Sequence, residues 1–240
     1  YELLLFMQKH GRDRLEGFEI LPNRALGAVL THIPGTRPPL DTTHRWHALM
    51  EFVQDDPAQS SPGELAMHLL EDAIAHNLLE NATIASSDVQ AEAFWKIRDS
   101  IAEAERAAGA ALQHDISVPV AAMARFIEEE SPRSEADYPG TKTVAFGHLG
   151  DGNIHFHVKA PDGVDVAGWY AGDGKAITSH VYDRVRAYGG SLSAEHGIGQ
   201  SKIDEFARLA EPARLSALRA IKSAFDPLGI MNPGKLVPLA

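Results

Sequence analysis

Apolar positions in this chain alternate between two periods, two residues and about three and a half, so strands and helices are expected to follow one another along its length. The run Glu2-Leu3-Leu4-Leu5-Phe6-Met7 opens a helix that should stop near Gly11, and strands follow over Leu15–Leu21 and Trp46–Val53. Ser61-Pro62-Gly63-Glu64 has the spacing of a capping box with proline at the first helical position, which predicts a helix to about Asn77. Ser87-Asp88-Val89-Gln90 has the same spacing, opening a long helix that Gly109 can end. Asp115–Val118 reads as a short strand, with Pro119 starting the next helix. Val144–His148 and Ile154–Val158 are β-rich runs, and the glycines and Asp/Asn of Leu149–Asn153 suit a tight loop between them. A helix from Lys175 to Tyr188 should end at Gly189-Gly190, and further helix should cover Lys202–Phe225 until Asp226-Pro227 breaks it. The alternation points to an α+β or α/β domain.

Composition narrows the function. The 240 residues suffice for one large domain or two small ones. With 22 basic residues against 33 acidic ones, the net charge of -11 argues against nucleic acid and anionic membrane as partners. No cysteine is present, which excludes disulfides, thiolate metal sites and cysteine nucleophiles, whereas 12 histidines leave an imidazole–carboxylate metal site open. No apolar stretch approaches the roughly 20 residues of a membrane span, and no secretory signal layout or internal repeat is seen. The chain starts at Tyr1 in a helix-like pattern without an initiator methionine, so it is expected to be part of something larger. A Gly-rich dinucleotide fingerprint is also missing from these residues.

Three histidines, His148, His155 and His157, flank the Leu149–Asn153 loop. On a strand His155 and His157 share a face, and His148 is close enough on the facing strand to converge with His155. Such residues are either ordinary hydrogen-bonded strand histidines or ligands of a divalent ion. The segment Ser193-Ala194-Glu195-His196-Gly197-Ile198-Gly199 places a carboxylate beside a further imidazole. Two imidazoles and one carboxylate are a common ligand set that leaves positions open for substrate.

Gly147-His148-Leu149-Gly150-Asp151-Gly152-Asn153-Ile154-His155 resembles a signature of the C-terminal domain of FAD-linked oxidases, found in D-2-hydroxyglutarate, D-lactate and glycolate dehydrogenases. Ser193–Gly199 is similar to that family's second motif, and Asn232-Pro233-Gly234-Lys235 to its closing one. Trp95-Lys96-Ile97-Arg98 and Asp115-Ile116-Ser117-Val118-Pro119 supply two more blocks in the family's order, while the first ninety residues fit more loosely, through Phe18-Glu19 and the Trp46–Val53 strand. The resemblance implies that His148, His155 and Glu195 hold zinc or a similar ion such as manganese. It implies that His196 contacts substrate and acts as general base, and that Arg98 pairs with a substrate carboxylate. It further implies an FAD held mainly by an N-terminal domain that this chain lacks, with Asn232 as the contact from this side.

Three positions depart from the D-2-hydroxyglutarate pattern: His157 stands for an asparagine, Gln113 for a lysine and Ala102 for a threonine. Two of these remove groups for a distal carboxylate, so a smaller 2-hydroxy acid such as lactate is at least as well suited as 2-hydroxyglutarate. His157 is carried as a further substrate contact. The expectation is an α+β cap domain across the whole chain, an antiparallel sheet covered by helices in a ferredoxin-like arrangement. Its expected partners are a 2-hydroxy acid, the FAD-binding domain, an electron carrier or quinone, and a second copy in a homodimer. The expected location is the cytoplasm or a membrane periphery. The rival readings are a stand-alone metal-binding recognition module and a dimerisation module without catalysis.

Overall fold

A computed structural model of the chain describes residues 1–40, 44–54 and 56–237. In order, the elements are α1 (Glu2–Gly11), β1 (Leu15–Pro22), α2 (Asn23–His32), β2 (Trp46–Phe52), α3 (Pro62–Ala75), α4 (Asp88–Asp99), α5 (Ile101–Ala107) and β3 (Ala111–Ser117). They continue with α6 (Val120–Asp137), β4 (Lys142–His148), β5 (Asn153–Lys159), α7 (Val166–Ala171), α8 (Asp173–Ala187), α9 (Ile203–Leu209) and α10 (Pro212–Phe225). The strands form one antiparallel sheet in the order β2-β1-β4-β5-β3, so the fold is α+β as expected.

β3 and β4 both run antiparallel to β5, so β3-α6-β4 is a split β-α-β unit with β5 between its strands. α8 then leads back to Ser191, which makes a single antiparallel bridge with Ser117 on β3. That bridge occupies the place of the last strand of a ferredoxin-like unit. The β4–β5 hairpin depends on glycine at two places. Gly147 has φ 152° and a Cβ there would come 2.3 Å from the Asn153 carbonyl oxygen, while at Gly152 (φ 83°) it would meet the Val118 oxygen at 2.1 Å.

Side chains alternate across β5. Ile154, Phe156 and Val158 join Ile116 and Ala145 in the core under α6 and α8, with Met123, Phe126, Ile177, Val181 and Val185. The opposite face carries Val144 and Phe146, covered by Ala25, Leu26 and Val29 of α2 and Ile101 and Ala104 of α5. His148, His155 and His157 lie on this second face, because cross-strand pairing puts His155 opposite Phe146 and His157 opposite Val144.

Several boundaries differ from the sequence expectation. The helix expected from Ser87 to Gly109 is two helices that meet at Ser100. Lys202–Phe225 is likewise divided, because Pro212 cannot continue α9 and instead begins α10. β3 starts four residues earlier than Asp115. α2 and α7 were not anticipated; α2 begins after Pro22 with no side-chain cap to mark it. The Ser61 capping box is complete, with Ser61 accepting from the Glu64 amide and the Glu64 carboxylate accepting from the Ser61 amide.

Candidate functional site

The pairing registers place Glu19 beside His148, and Phe146, His155 and Asp115 side by side in the next row, all on the face away from α6 and α8. Glu19 is only 3% exposed, yet it is fully engaged. One of its oxygens accepts from Nε of Arg98 at 2.6 Å, and the other faces Nδ1 of His148. Arg98 reaches the sheet from α4, and its Nη2 lies 2.9 Å from Nε2 of His148. An arginine only donates, so Nε2 of His148 is the accepting nitrogen and Nδ1 carries the proton donated to Glu19. His155 is turned the same way, its Nδ1 lying 3.8 Å from Oδ1 of Asp115. That oxygen is buried without a hydrogen-bond partner.

The Ser193–Gly199 segment is held over this face by Asp115, whose Oδ2 accepts from the amides of Glu195 (3.2 Å) and His196 (3.4 Å). Lys202 secures the far end by donating to the Asp115 backbone oxygen at 3.1 Å. Burial depresses the Lys202 ammonium, an effect partly opposed by Asp115. So anchored, Glu195 brings Oε1 to 3.8 Å from Nε2 of His148. His196 stays exposed, with Nε2 4.0 Å from Asp115. Asp115, Glu195 and His196 each bring a ligand atom within 4.8 Å of one another. The ring of His155 stands a little further off, 6.0 Å from that of His148 between centroids.

Sequence reasoning therefore named five residues that meet at one place: Arg98, His148, His155, Glu195 and His196. It did not give Glu19 or Asp115 a role. Asp115 was visible as part of a motif and Glu19 as part of the looser Phe18-Glu19 match, but Glu19 lies 129 residues before His148 and that match carries no role. His157 is placed differently from a ligand-facing residue. It is 4% exposed, packs edge-on against Phe146 and has an unpartnered Nδ1. Burial pulls its pKa down to about 3, helped by the neighbouring His155 and His114, so the ring is neutral. His155 is also shifted down, first by burial and then by Arg98, with Asp115 pulling the other way. Asn232 lies far along the chain in an exposed turn, at φ 46°. Arg98 also borders a cleft of ≈ 820 Å³ walled by Trp46, Met50, Phe94, Trp95 and Leu149. That cleft is largely apolar and meets the imidazole cluster only at Arg98, so the chemistry is assigned to the polar face instead.

Fold and site together define an α+β domain that gathers imidazoles, carboxylates and one arginine over a single sheet face. The family of FAD linked oxidases, C-terminal domain, matches residues 4–236, and the chain belongs to it. It is 34% identical over 223 residues to a D-2-hydroxyglutarate dehydrogenase of Xanthomonas citri pathovar viticola, covering 93% of this chain and 46% of that protein. A mitochondrial Schizosaccharomyces pombe protein whose name assigns it as a D-lactate dehydrogenase is 26% identical over 239 residues, covering 96% and 44%. Among solved structures, the 4-ethylphenol oxidase of Gulosibacter chungangensis in complex with isoeugenol aligns over 99% of this chain and 50% of its own, with TM-score 0.57 and 16% identity. That likeness bears on the fold alone. The chain spans about half the length of the curated relatives it matches. Among the described residues no helix is long and apolar enough to cross a membrane.

Proposed function

We propose that this chain is the substrate- and cation-binding part of an FAD-dependent oxidoreductase that converts a D-2-hydroxy acid to a 2-oxo acid. The observation that carries this reading is the meeting of His148, His155, Glu195, His196 and Arg98 on one sheet face. The donor set suits a divalent ion: His148 turns Nδ1 to Glu19, which leaves its Nε2 as the ligand atom beside Glu195, and His155 stands next to it with Nδ1 on the side of Asp115. His148, His155 and Glu195 would hold zinc or manganese, with Asp115 near enough to add an oxygen. When bound, the ion would acidify a coordinated hydroxyl and the flavin would accept a hydride.

The remaining work belongs to this chain's own side chains. His196 is exposed beside Glu195, and a neutral imidazole there takes the substrate hydroxyl proton as general base. Arg98 offers a planar guanidinium to a substrate carboxylate. His157, neutral and buried, shapes the wall beneath rather than adding charge. Gln113 and Ala102 supply no cation for a distal carboxylate, which favours a short 2-hydroxy acid of lactate size alongside 2-hydroxyglutarate. FAD is assigned to a further domain beyond this chain, with Asn232 in the exposed turn as the contact offered from this side. An electron carrier or quinone would reoxidise it, in the cytoplasm or at a membrane periphery.

The test is the metal content of the purified chain beside Glu195→Ala. About one divalent ion per chain, lost in the variant, is the expected result. Absence of metal after incubation with zinc or manganese would sink the cation part of the reading. A second reading, a recognition or dimerisation module without catalysis, draws on the exposed apolar residues Phe225, Leu228, Ile230 and Met231. Hydroxy-acid binding by the chain without flavin, or a stable dimer, would favour it.

A further inference from the structure

Glu19 has no place in the ligand set or the reaction outlined above, yet it is the most deeply buried carboxylate at the site. It makes contact with two of the site's working groups and with no other side chain among the described hydrogen bonds. A carboxylate is acceptor on both oxygens, so it can take a proton donor from each side at once. Here Nε of Arg98 donates to Oε2 and Nδ1 of His148 donates to Oε1.

Two consequences follow for the atoms that matter. With Nδ1 protonated and turned to Glu19, the lone pair of His148 sits on Nε2, the nitrogen that faces Glu195 at 3.8 Å. With its Nε tied to Glu19, Arg98 is held so that Nη2 lies 2.9 Å from that same lone pair. The guanidinium therefore occupies the coordination direction that a cation at Nε2 would use. Stability alone does not account for such a pair: buried ion pairs can often be exchanged for apolar residues of like volume without loss. Asp115 faces His155 in a comparable way, but its 3.8 Å separation is longer than a hydrogen bond.

We infer that Glu19 is a positioning residue for this site, fixing the protonated nitrogen of His148 and the orientation of Arg98 through one buried carboxylate. A cation at Nε2 would require Arg98 to leave that nitrogen, with Glu19 still holding its Nε. This rests on the proposed cation- and substrate-binding role, and the two can fail separately.

The experiment compares the wild-type chain, Glu19→Met, Glu19→Asp and His148→Ala. Calorimetric titration with Zn²⁺ is one reading, and ¹⁵N spectra of the histidine rings in metal-free protein are the other. Glu19→Met should weaken Zn²⁺ binding about 10- to 100-fold, the range seen for outer-sphere partners of ligand histidines. It should also let the proton of His148 spread onto Nε2, and Glu19→Asp should recover part of both. Zn²⁺ binding that His148→Ala abolishes but Glu19→Met leaves within about twofold, with unchanged spectra, would overturn the role of Glu19 and leave the cation site standing. Shifted spectra in a chain that takes up no Zn²⁺ would support Glu19 as the residue that positions His148 and overturn the cation reading instead. Unchanged spectra together with no uptake would overturn both. If Glu19→Met does not fold because Arg98 loses its buried counter-charge, Glu19→Met/Arg98→Met is read against Arg98→Met alone, so that the difference in both readings belongs to Glu19.

Discussion

The β3–β5 half of the molecule and the stretch from α10 to Met231 solve opposite problems. In the sheet, Phe156 is fully buried and meets Phe126 edge-on at 5.7 Å, with α6 and α8 closing over it. In α10 no residue is buried, and Phe225 is 81% exposed. Ile221, Leu228, Ile230 and Met231 share that exposure within a span of eleven residues. The turn after α10 is nonetheless ordered, by polar contacts instead of apolar ones. Asp226 accepts from Lys222 Nζ (2.6 Å) and from the amides of Ile230 (2.9 Å) and Met231 (2.8 Å). The sheet half builds a closed core, whereas α10 and its turn seat only Leu215 and Leu218 partly against that core and leave Ile221, Phe225, Leu228, Ile230 and Met231 exposed, as a contact surface does.

The widest separation between the two regions should come from deleting one phenylalanine in each. Phe156→Ala is expected to cost about 3–5 kcal/mol, from lost burial and the cavity left behind. Phe225→Ala is expected to stay within about 0.5 kcal/mol. Urea unfolding followed by circular dichroism measures both. Comparable losses would mean that α10 is packed in solution, and the contrast would be broken.

A smaller effect is expected where the C-terminal turn is stapled. Asp226→Ala removes the acceptor of two backbone amides but no core contact. Hydrogen exchange at Ile230 and Met231 should quicken by about tenfold or more, while the amides of β5 keep their protection. Faster exchange in β5 would show that the two regions unfold as one unit.

The same contrast explains what was legible in the sequence. The β4–β5 hairpin could be read because its Leu149–Asn153 loop carries glycines such as Gly152, where a Cβ would clash, and because the alternation of Ile154, Phe156 and Val158 is strict. The Ser61 helix start could be read because its box is local. The imidazoles and Glu195 were found through short motifs. Glu19 fell in a loose Phe18-Glu19 match, but its role could not be read, since its meeting with His148 depends on a β1–β4 register of two residue pairs between strands more than a hundred residues apart. Nor could the burial of His157, which packs against Phe146 on the sheet face that α2 and α5 cover. The break at Pro212 was present in the sequence, but the helical pattern on both sides concealed it.

The well-packed half is not satisfied at every polar atom, and this sets the mildest of the expected effects. Glu105 of α5 is 1% exposed, and its Oε2 has no hydrogen-bond partner, with Lys159 3.6 Å away. Burial raises the Glu105 carboxyl above its usual range, and the pull of Lys159 in the other direction does not cancel it. A raised folded pKa means that protonation favours the native state. The stabilisation from this group is complete below the ordinary carboxylate range and is lost as pH climbs through the raised value. Glu105→Gln removes the buried charge and keeps the shape, so the variant should match the wild type in acid and become the more stable of the two towards neutrality. Urea midpoints across that range measure the crossover. A variant less stable at neutral pH would mean that the Lys159 pair outweighs the burial, and that the sheet half, unlike α10, draws net stability from its charges as well as from its core.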